Sequence, residues 1–461
     1  MSKRLIITSV LTLILATLVF RYFSVHNDLD KVPHYAGSEN CMSCHQTHYQ
    51  SWKDNTLHPI IFRPVTNLSQ IVGDFEQNSP LVTFKKEEVT HIVGSKWEQV
   101  YMRVIDNDFY PFTAKWMVTT QKWVPYKVHD WEKTPASTKC NGCHTTGFNA
   151  KTYEFNEFGV ACEACHGAGS LHVKHQQMVV DTECIICHDK PHTGEADIML
   201  STKSTVCGQC HSRGKSSHTS IVGKKTIFNF PLKYKLGEDF TNVFVPSTVN
   251  NDKKGKNWWG NGVSKNRHQE FADFSFSKHA KSLEDLRLKE NPHGGKKSDD
   301  CLQCHSQDYR SAKKGEKPTL ETAKHGLTCV TCHEPHGIDR NIKGNNGAYK
   351  CGECHINSAS TVKHNSKKPE QHFPCPVDKV NCADCHMPRI VKTGGDFTIR
   401  SHAFQIIPPQ ASIEHNMPNS CQNSGCHSDK SYDEMDKVFK IHYPEYQVQE
   451  LKSIIKNSIK K

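Results

Sequence analysis

The chain has 461 residues, and only 36% of them are apolar. That is too few aliphatic side chains for an ordinary core of this length, so something besides side chains must fill the interior. The formal charge is +10, and the 21 cysteines and 30 histidines exclude an average globular composition.

The N-terminus reads M-S-K-R, then an apolar run from Leu5 to Phe20, then Arg21. A basic start before an apolar run is an export signal. Residues 1–25 are therefore expected to form a signal anchor, one N-terminal transmembrane helix with Lys3 and Arg4 inside, or else a cleaved export signal. The first reading places the protein on the periplasmic side of the cytoplasmic membrane. The second makes it secreted or outer-surface.

The chain then enters a repeated pattern. Cys41, Cys44 and His45 spell C-x-x-C-H, and a segment from about 60 to 135 follows without cysteine. Its alternating β-branched and aromatic residues, as in V-T-H-I-V-G-S-K-W-E-Q-V-Y-M-R-V, predict antiparallel strands. Four motifs come next at short intervals: Cys140/Cys143/His144, Cys162/Cys165/His166, Cys184/Cys187/His188 and Cys207/Cys210/His211. Together these define an N-terminal unit over 26–211 with its β insert at 60–135. Residues 212–290 lack the motif; they hold an aromatic strip (Phe228, Phe230, Tyr234, Trp258, Trp259) and an amphipathic stretch near Phe274 to Leu288 that predicts one helix. A second unit, 291–430, carries Cys301/Cys304/His305, Cys329/Cys332/His333, Cys351/Cys354/His355 and Cys382/Cys385/His386, then a longer-spaced pair, Cys421 and Cys426 before His427. The tail 431–461 reads as a helix with a basic end. Cys375 alone stands outside the pairs.

C-x-x-C-H is the attachment signature of haem c. Two cysteines one helical turn apart reach the two vinyl groups of one porphyrin, and the adjoining His takes the iron from the proximal side. Zinc gives no reason for a His after every second Cys, and disulfides do not demand that His either. Ten pairs imply about ten covalent haems. The rings replace much of the missing core, so the expected fold is mostly irregular, with short α-helices packed around a chain of haems. Their propionates bring the oxidised charge to roughly zero, which argues against nucleic-acid binding.

Removing the ten proximal histidines leaves twenty. That surplus predicts mostly bis-His iron, which is low-spin and low in potential. The favoured distal candidates are His58, His172, His192, His268, His279, His325, His336, His372, His402 and His415.

Four strings carry a resemblance: Y-A-G-S-E-N-C-M-S-C-H with Trp52 and His58 downstream, G-V-A-C-E-A-C-H-G-A-G-S-L-H-V, H-G-L-T-C-V-T-C-H-E-P-H-G, and N-C-A-D-C-H-M-P-R with a later R-S-H-A-F. Over most of residues 35 to 430 the chain resembles bacterial multihaem c-type cytochromes, the group that includes tetratricopeptide-repeat members, although such repeats are absent here. It is distantly similar to pentahaem nitrite reductases and octahaem cytochromes, and in that resemblance His402 matches a ligand of a neighbouring haem. No motif ends in the Lys that marks the nitrite-reductase substrate haem.

The resemblance and the motifs together imply electron transfer outside the cytoplasm. Partners would be a quinol dehydrogenase or other cytochromes, the membrane through the N-terminal helix, and an oligomer or haem-stacked assembly. The alternative is a reductase of nitrite, hydroxylamine or tetrathionate at one haem lacking a distal ligand, with Arg389, Arg400, Tyr101 or Tyr126 as neighbours.

Overall fold

Alternation along residues 98–117 gives the longest strands among the described residues. In the computed structural model, which describes residues 32–174, 203–222, 224–288, 296–337, 348–355, 382–393, 396–423, 425–442 and 444, five strands form an antiparallel meander in the order β1 to β5. They are β1 (Phe62–Pro64), β2 (His91–Val93), β3 (Glu98–Ile105), β4 (Asp108–Met117) and β5 (Lys122–Pro125). Asp106 and Asn107, with φ of 49° and 64°, make the two-residue turn that pairs Ile105 with Asp108; short polar side chains tolerate this left-handed conformation. The β insert expected over 60–135 is thus present.

Successive side chains of a strand point to opposite faces. Tyr101 enters a private aromatic core with Ile71, Phe84, Ile92, Phe112, Trp116 and Trp123. Its hydroxyl accepts from Gly73 N at 2.8 Å and donates to Gln99 at 3.0 Å. Val100 and Met102 turn the other way, onto Phe62 and Ala136, against which Cys140 and Phe158 pack. One face of the sheet is therefore filled by its own side chains, and the other meets the motif ending at His144.

The remaining described elements are short. Motif helices such as Asn141–His144, Cys162–His166 and Cys382–His386 span four or five residues. In the 212–290 region two antiparallel strand pairs join Gly214–Ser216 to Phe244–Pro246 and, as a hairpin within that span, Thr219–Val222 to Lys224–Ile227. The aromatic strip packs inward, with Phe228, Phe230, Trp258 and Trp259 buried. A Cβ at Gly142 would meet the Phe230 ring, and one at Gly208 would meet Phe240 and Phe271, so these glycines inside two motifs admit aromatic rings that a larger residue would exclude.

The single helix expected from Phe274 to Leu288 is corrected to two, Glu270–Phe276 and Ser282–Leu288. The chain turns extended at Ser277 (ψ 160°), and the intervening turn carries His279 against Phe404 at 4.5 Å. After residue 431 a helix runs over Tyr432–His442. The expected N-terminal helix over 1–25, the motif at Cys184, Cys187 and His188, and Cys375 lie outside the described residues. Among the described residues no helix is long and apolar enough to cross a membrane.

Candidate functional site

The motif cysteines are the first anomaly of the packing. Cysteine is among the most buried residue types, yet none of the eighteen described motif cysteines is buried, and Cys44, Cys332, Cys382 and Cys426 are exposed. No disulfide joins them, and among the described residues no cluster of three or more His, Cys, Asp or Glu is arranged to hold a bare metal ion. Thiols left half-open on one helical turn fit attachment to a bulky apolar group.

The imidazoles are the second. Two metal–nitrogen bonds of about 2 Å plus two ring radii put the centres of trans imidazoles roughly 6 Å apart. Five motif histidines have such a neighbour: His45 and His172 at 6.4 Å, His144 and His268 at 6.2 Å, His166 and His336 at 6.0 Å, His355 and His279 at 6.1 Å, His333 and His402 at 6.1 Å. Ring planes are near-parallel for His166/His336 (9°), His45/His172 (22°) and His333/His402 (26°), and steep for His144/His268 (68°) and His355/His279 (87°). Burial holds His144, His279 and His333 near neutrality, each pulled down to about 4, the state in which an imidazole ligates.

The other distal candidates divide. His58 is pulled down to about 4 by burial and then by the charge of His211. His325 adjoins the His305 motif, its carbonyl accepting from Ser306 Oγ at 2.9 Å and its N–H donating to Asp308 at 2.7 Å. His415 ends the helix Pro409–His415 against Gly260. His192 and His372 lie outside the described residues. His48 stands 4.7 Å from His336.

Motifs distant in sequence touch. The Cys41 and Cys162 thiols are within hydrogen-bonding reach, as are Cys143 and Cys210, Cys207 and Cys329, and Cys304 and Cys354. Gln209 Nε2 donates to Ala164 O at 3.3 Å, and Cys329 N to Ser204 Oγ at 3.3 Å. Ser420 Oγ donates to Cys385 O at 2.8 Å, joining the last two motifs. The motif ending at His211 thereby adjoins those ending at His144, His166 and His333.

Acidic groups that the sequence did not single out organise these contacts. Glu163, inside its motif, accepts from Ala36 N and Gly37 N at 2.8 Å and from Gly169 N at 2.7 Å. Buried Asp273 accepts from Ser264 Oγ at 2.8 Å, Ser401 Oγ at 3.0 Å and His402 N at 3.3 Å. Glu98 of β3 binds Lys115 Nζ at 2.5 Å and pairs with Arg267, next to His268. His268 itself holds a φ of 61°, a strained backbone conformation for a residue with a side chain. Of the proposed reductase neighbours, Tyr101 is walled into the aromatic core, while Arg400 binds Asp384 at 2.6 Å and Arg389 donates to Thr398 O at 2.6 Å.

Repeated half-open thiol pairs, each followed by a His and set among short helices, define a multihaem c-type cytochrome, and a family model and one solved structure agree. The family described as cytochrome c554 and c-prime matches residues 114–167 and 265–334. The chain is an electron-transport protein that carries haem c. It is similar to the outer cell wall cytochrome OcwA, at 28% identity and a TM-score of 0.69 over 88% of this chain and 86% of that one. The undecahaem cytochrome from the S-layer of Carboxydothermus ferrireducens aligns at 20% identity and a TM-score of 0.48, over 89% of this chain and 59% of that one. No curated protein sequence matches the chain.

Proposed function

We propose that the chain carries about ten haems, one per cysteine pair, and passes electrons along them outside the cytoplasm between a donor cytochrome or quinol dehydrogenase and an extracellular acceptor. The observation that carries this is the set of five imidazole pairs 6.0–6.4 Å apart, each joining a motif His to a His elsewhere in the chain. The motif histidines would hold the irons. His172, His268, His336, His279 and His402 would supply the second imidazole beside His45, His144, His166, His355 and His333. Bis-imidazole iron changes little in geometry on electron transfer and leaves no site for a substrate, which favours conduction over oxyanion reduction. The contacts between motifs support ring edges close enough for transfer from one haem to the next.

Likeness to a protein described as an outer cell wall cytochrome supports a place beyond the cytoplasmic membrane. The basic-then-apolar N-terminus supports export, with the segment kept as an anchor or removed.

Mass analysis of the mature protein tests the count, with one porphyrin added per cysteine pair as the expected result. Electron paramagnetic resonance of the oxidised protein tests the ligation. Low-spin iron throughout fits the conductor. A strong high-spin signal, together with steady turnover of nitrite, hydroxylamine or tetrathionate, overturns it in favour of a reductase.

A further inference from the structure

Proximal histidines differ in what their second ring nitrogen, Nδ1, touches. That nitrogen matters because an Nδ1–H donating to a strong acceptor pushes electron density through the ring onto a metal at Nε2. His305 has a neutral acceptor, the Ser282 carbonyl at 2.9 Å. His144 Nδ1 is buried with no hydrogen-bond partner among the described residues. His211 has a carboxylate: Glu270 Oε2 lies 3.4 Å from its Nδ1. Glu270 opens the helix Glu270–Phe276, and its side chain is 21% exposed beside a His211 ring that is 47% exposed. Two further carboxylates meet candidate ligands, Glu334 at 3.2 Å from His336 Nδ1 and Glu414 at 3.8 Å from His415 Nε2, and they are 47% and 50% exposed, where water screens them.

The His211 and His144 motifs are immediate neighbours, joined by the Cys143 and Cys210 thiols and by Cys143 Sγ to Gln209 O at 3.8 Å. One motif thus carries a half-buried carboxylate on its proximal imidazole, and the one beside it shows none among the described residues.

We propose that Glu270 is a positioning residue that acts through His211 to lower the reduction potential of the haem at Cys207 and Cys210 below that of the adjoining haem at Cys140 and Cys143. This rests on His211 and His144 binding iron, as proposed above. A carboxylate hydrogen bond strengthens the imidazole as a donor, and a strong donor favours ferric iron over ferrous. Hydrogen bonding to the axial ligand is one of the established levers on haem potential. Arg213 and Arg267 stand near Glu270. Arg267 is engaged by Glu98, and Arg213 Nε donates to Arg267 O at 2.7 Å. These cations weaken the through-space part of the effect and leave the part transmitted through the hydrogen bond. Since the His211 motif also adjoins those ending at His166 and His333, the low-potential haem sits at a junction. An added electron rests on its neighbours and crosses it in transit.

The test is a spectroscopic redox titration of the fully haem-loaded protein as wild type, E270Q, E270D and E334Q. One transition is expected to move upward in E270Q by more than any transition moves in E334Q, and E270D should return it toward the wild-type position. Equal or absent shifts in E270Q and E334Q, or E270D behaving as E270Q, overturn the proposal. A measurement on the wild type guards against poor loading of the variants. Pulsed electron paramagnetic resonance of the remote axial nitrogens should show one imidazole of imidazolate character, and a single neutral population overturns the assignment. Finding no porphyrin at all would instead remove the electron-carriage reading, a failure distinct from unmoved potentials in a loaded protein.

Discussion

The meander over residues 62–125 and the motif helices are built on opposite principles. In the sheet, Phe84 stacks on Phe112 at 4.1 Å and Trp116 meets Trp123 edge-on at 5.3 Å; amino acids fill the space between amino acids. Around the motifs, cysteines stay half-open and imidazoles stand about one iron apart. One region has its core encoded in the sequence, and the other leaves a core to be delivered. Stability should therefore respond to different changes in the two regions.

Withholding haem attachment gives the largest effect. The motif helices, four or five residues long, are too short to persist alone, so most helical circular dichroism should vanish. Trp116 and Trp123 should keep the emission of buried indoles. A complete red shift on loss of haem would falsify the division into two kinds of core.

Trp123→Ala should destabilise the sheet by about 3–5 kcal/mol by opening a cavity in its aromatic core, read as a lower denaturant midpoint for tryptophan emission with the haem spectrum unchanged. Glu98→Ala crosses the divide. Breaking a buried pair costs about 3–5 kcal/mol, because Lys115, which burial already pulls down to about 8, and Arg267 both lose their anion. Its signature should include a disturbed low-spin signal from the haem beside His268. If the haem signals stay as in the wild type, the sheet does not position that ligand.

His172→Ala should barely alter unfolding and should convert one iron to a high-spin form that takes up carbon monoxide. Unchanged spin state counts against the His45/His172 pairing.

The smallest effect is on acid stability. His91 packs edge-on to Phe109 at 4.5 Å, and burial pulls it from 6.5 down to about 4. The folded state thus prefers neutral His91. Its contribution is complete above pH 6.5 and is lost as the pH falls toward 4. His91→Asn should flatten the decline of sheet stability in that window.

Legibility in the sequence follows the same division. Alternation through Glu98–Ile105 announced the strands because side chains set the pattern, and C-x-x-C-H announced the haem because the chemistry of attachment needs that spacing. His172, His268, His279, His336 and His402 were credible from their places near motifs, but nothing local identifies which iron each faces. His268 lies 124 residues beyond His144, and only the fold brings them together. Glu270 and Asp273 read as ordinary acids at the start of a helix. Asp273 gains its meaning from Ser401 and His402, more than 120 residues away. The break at Ser277–Lys281 escaped an apolar periodicity that runs through it, since the need for it arises from placing His279 beside His355.

His333 and His336 are three residues apart, yet they face histidines from opposite ends of the sequence, His402 and His166. With iron in both gaps, the segment Cys332–Gly337 becomes a rivet between the N-terminal and C-terminal motif groups. Pulling the halves apart then means rupturing a coordination bond, and the same bond fixes how far an electron must hop between them. At this joint, mechanical integrity and conductivity would then depend on the same bond.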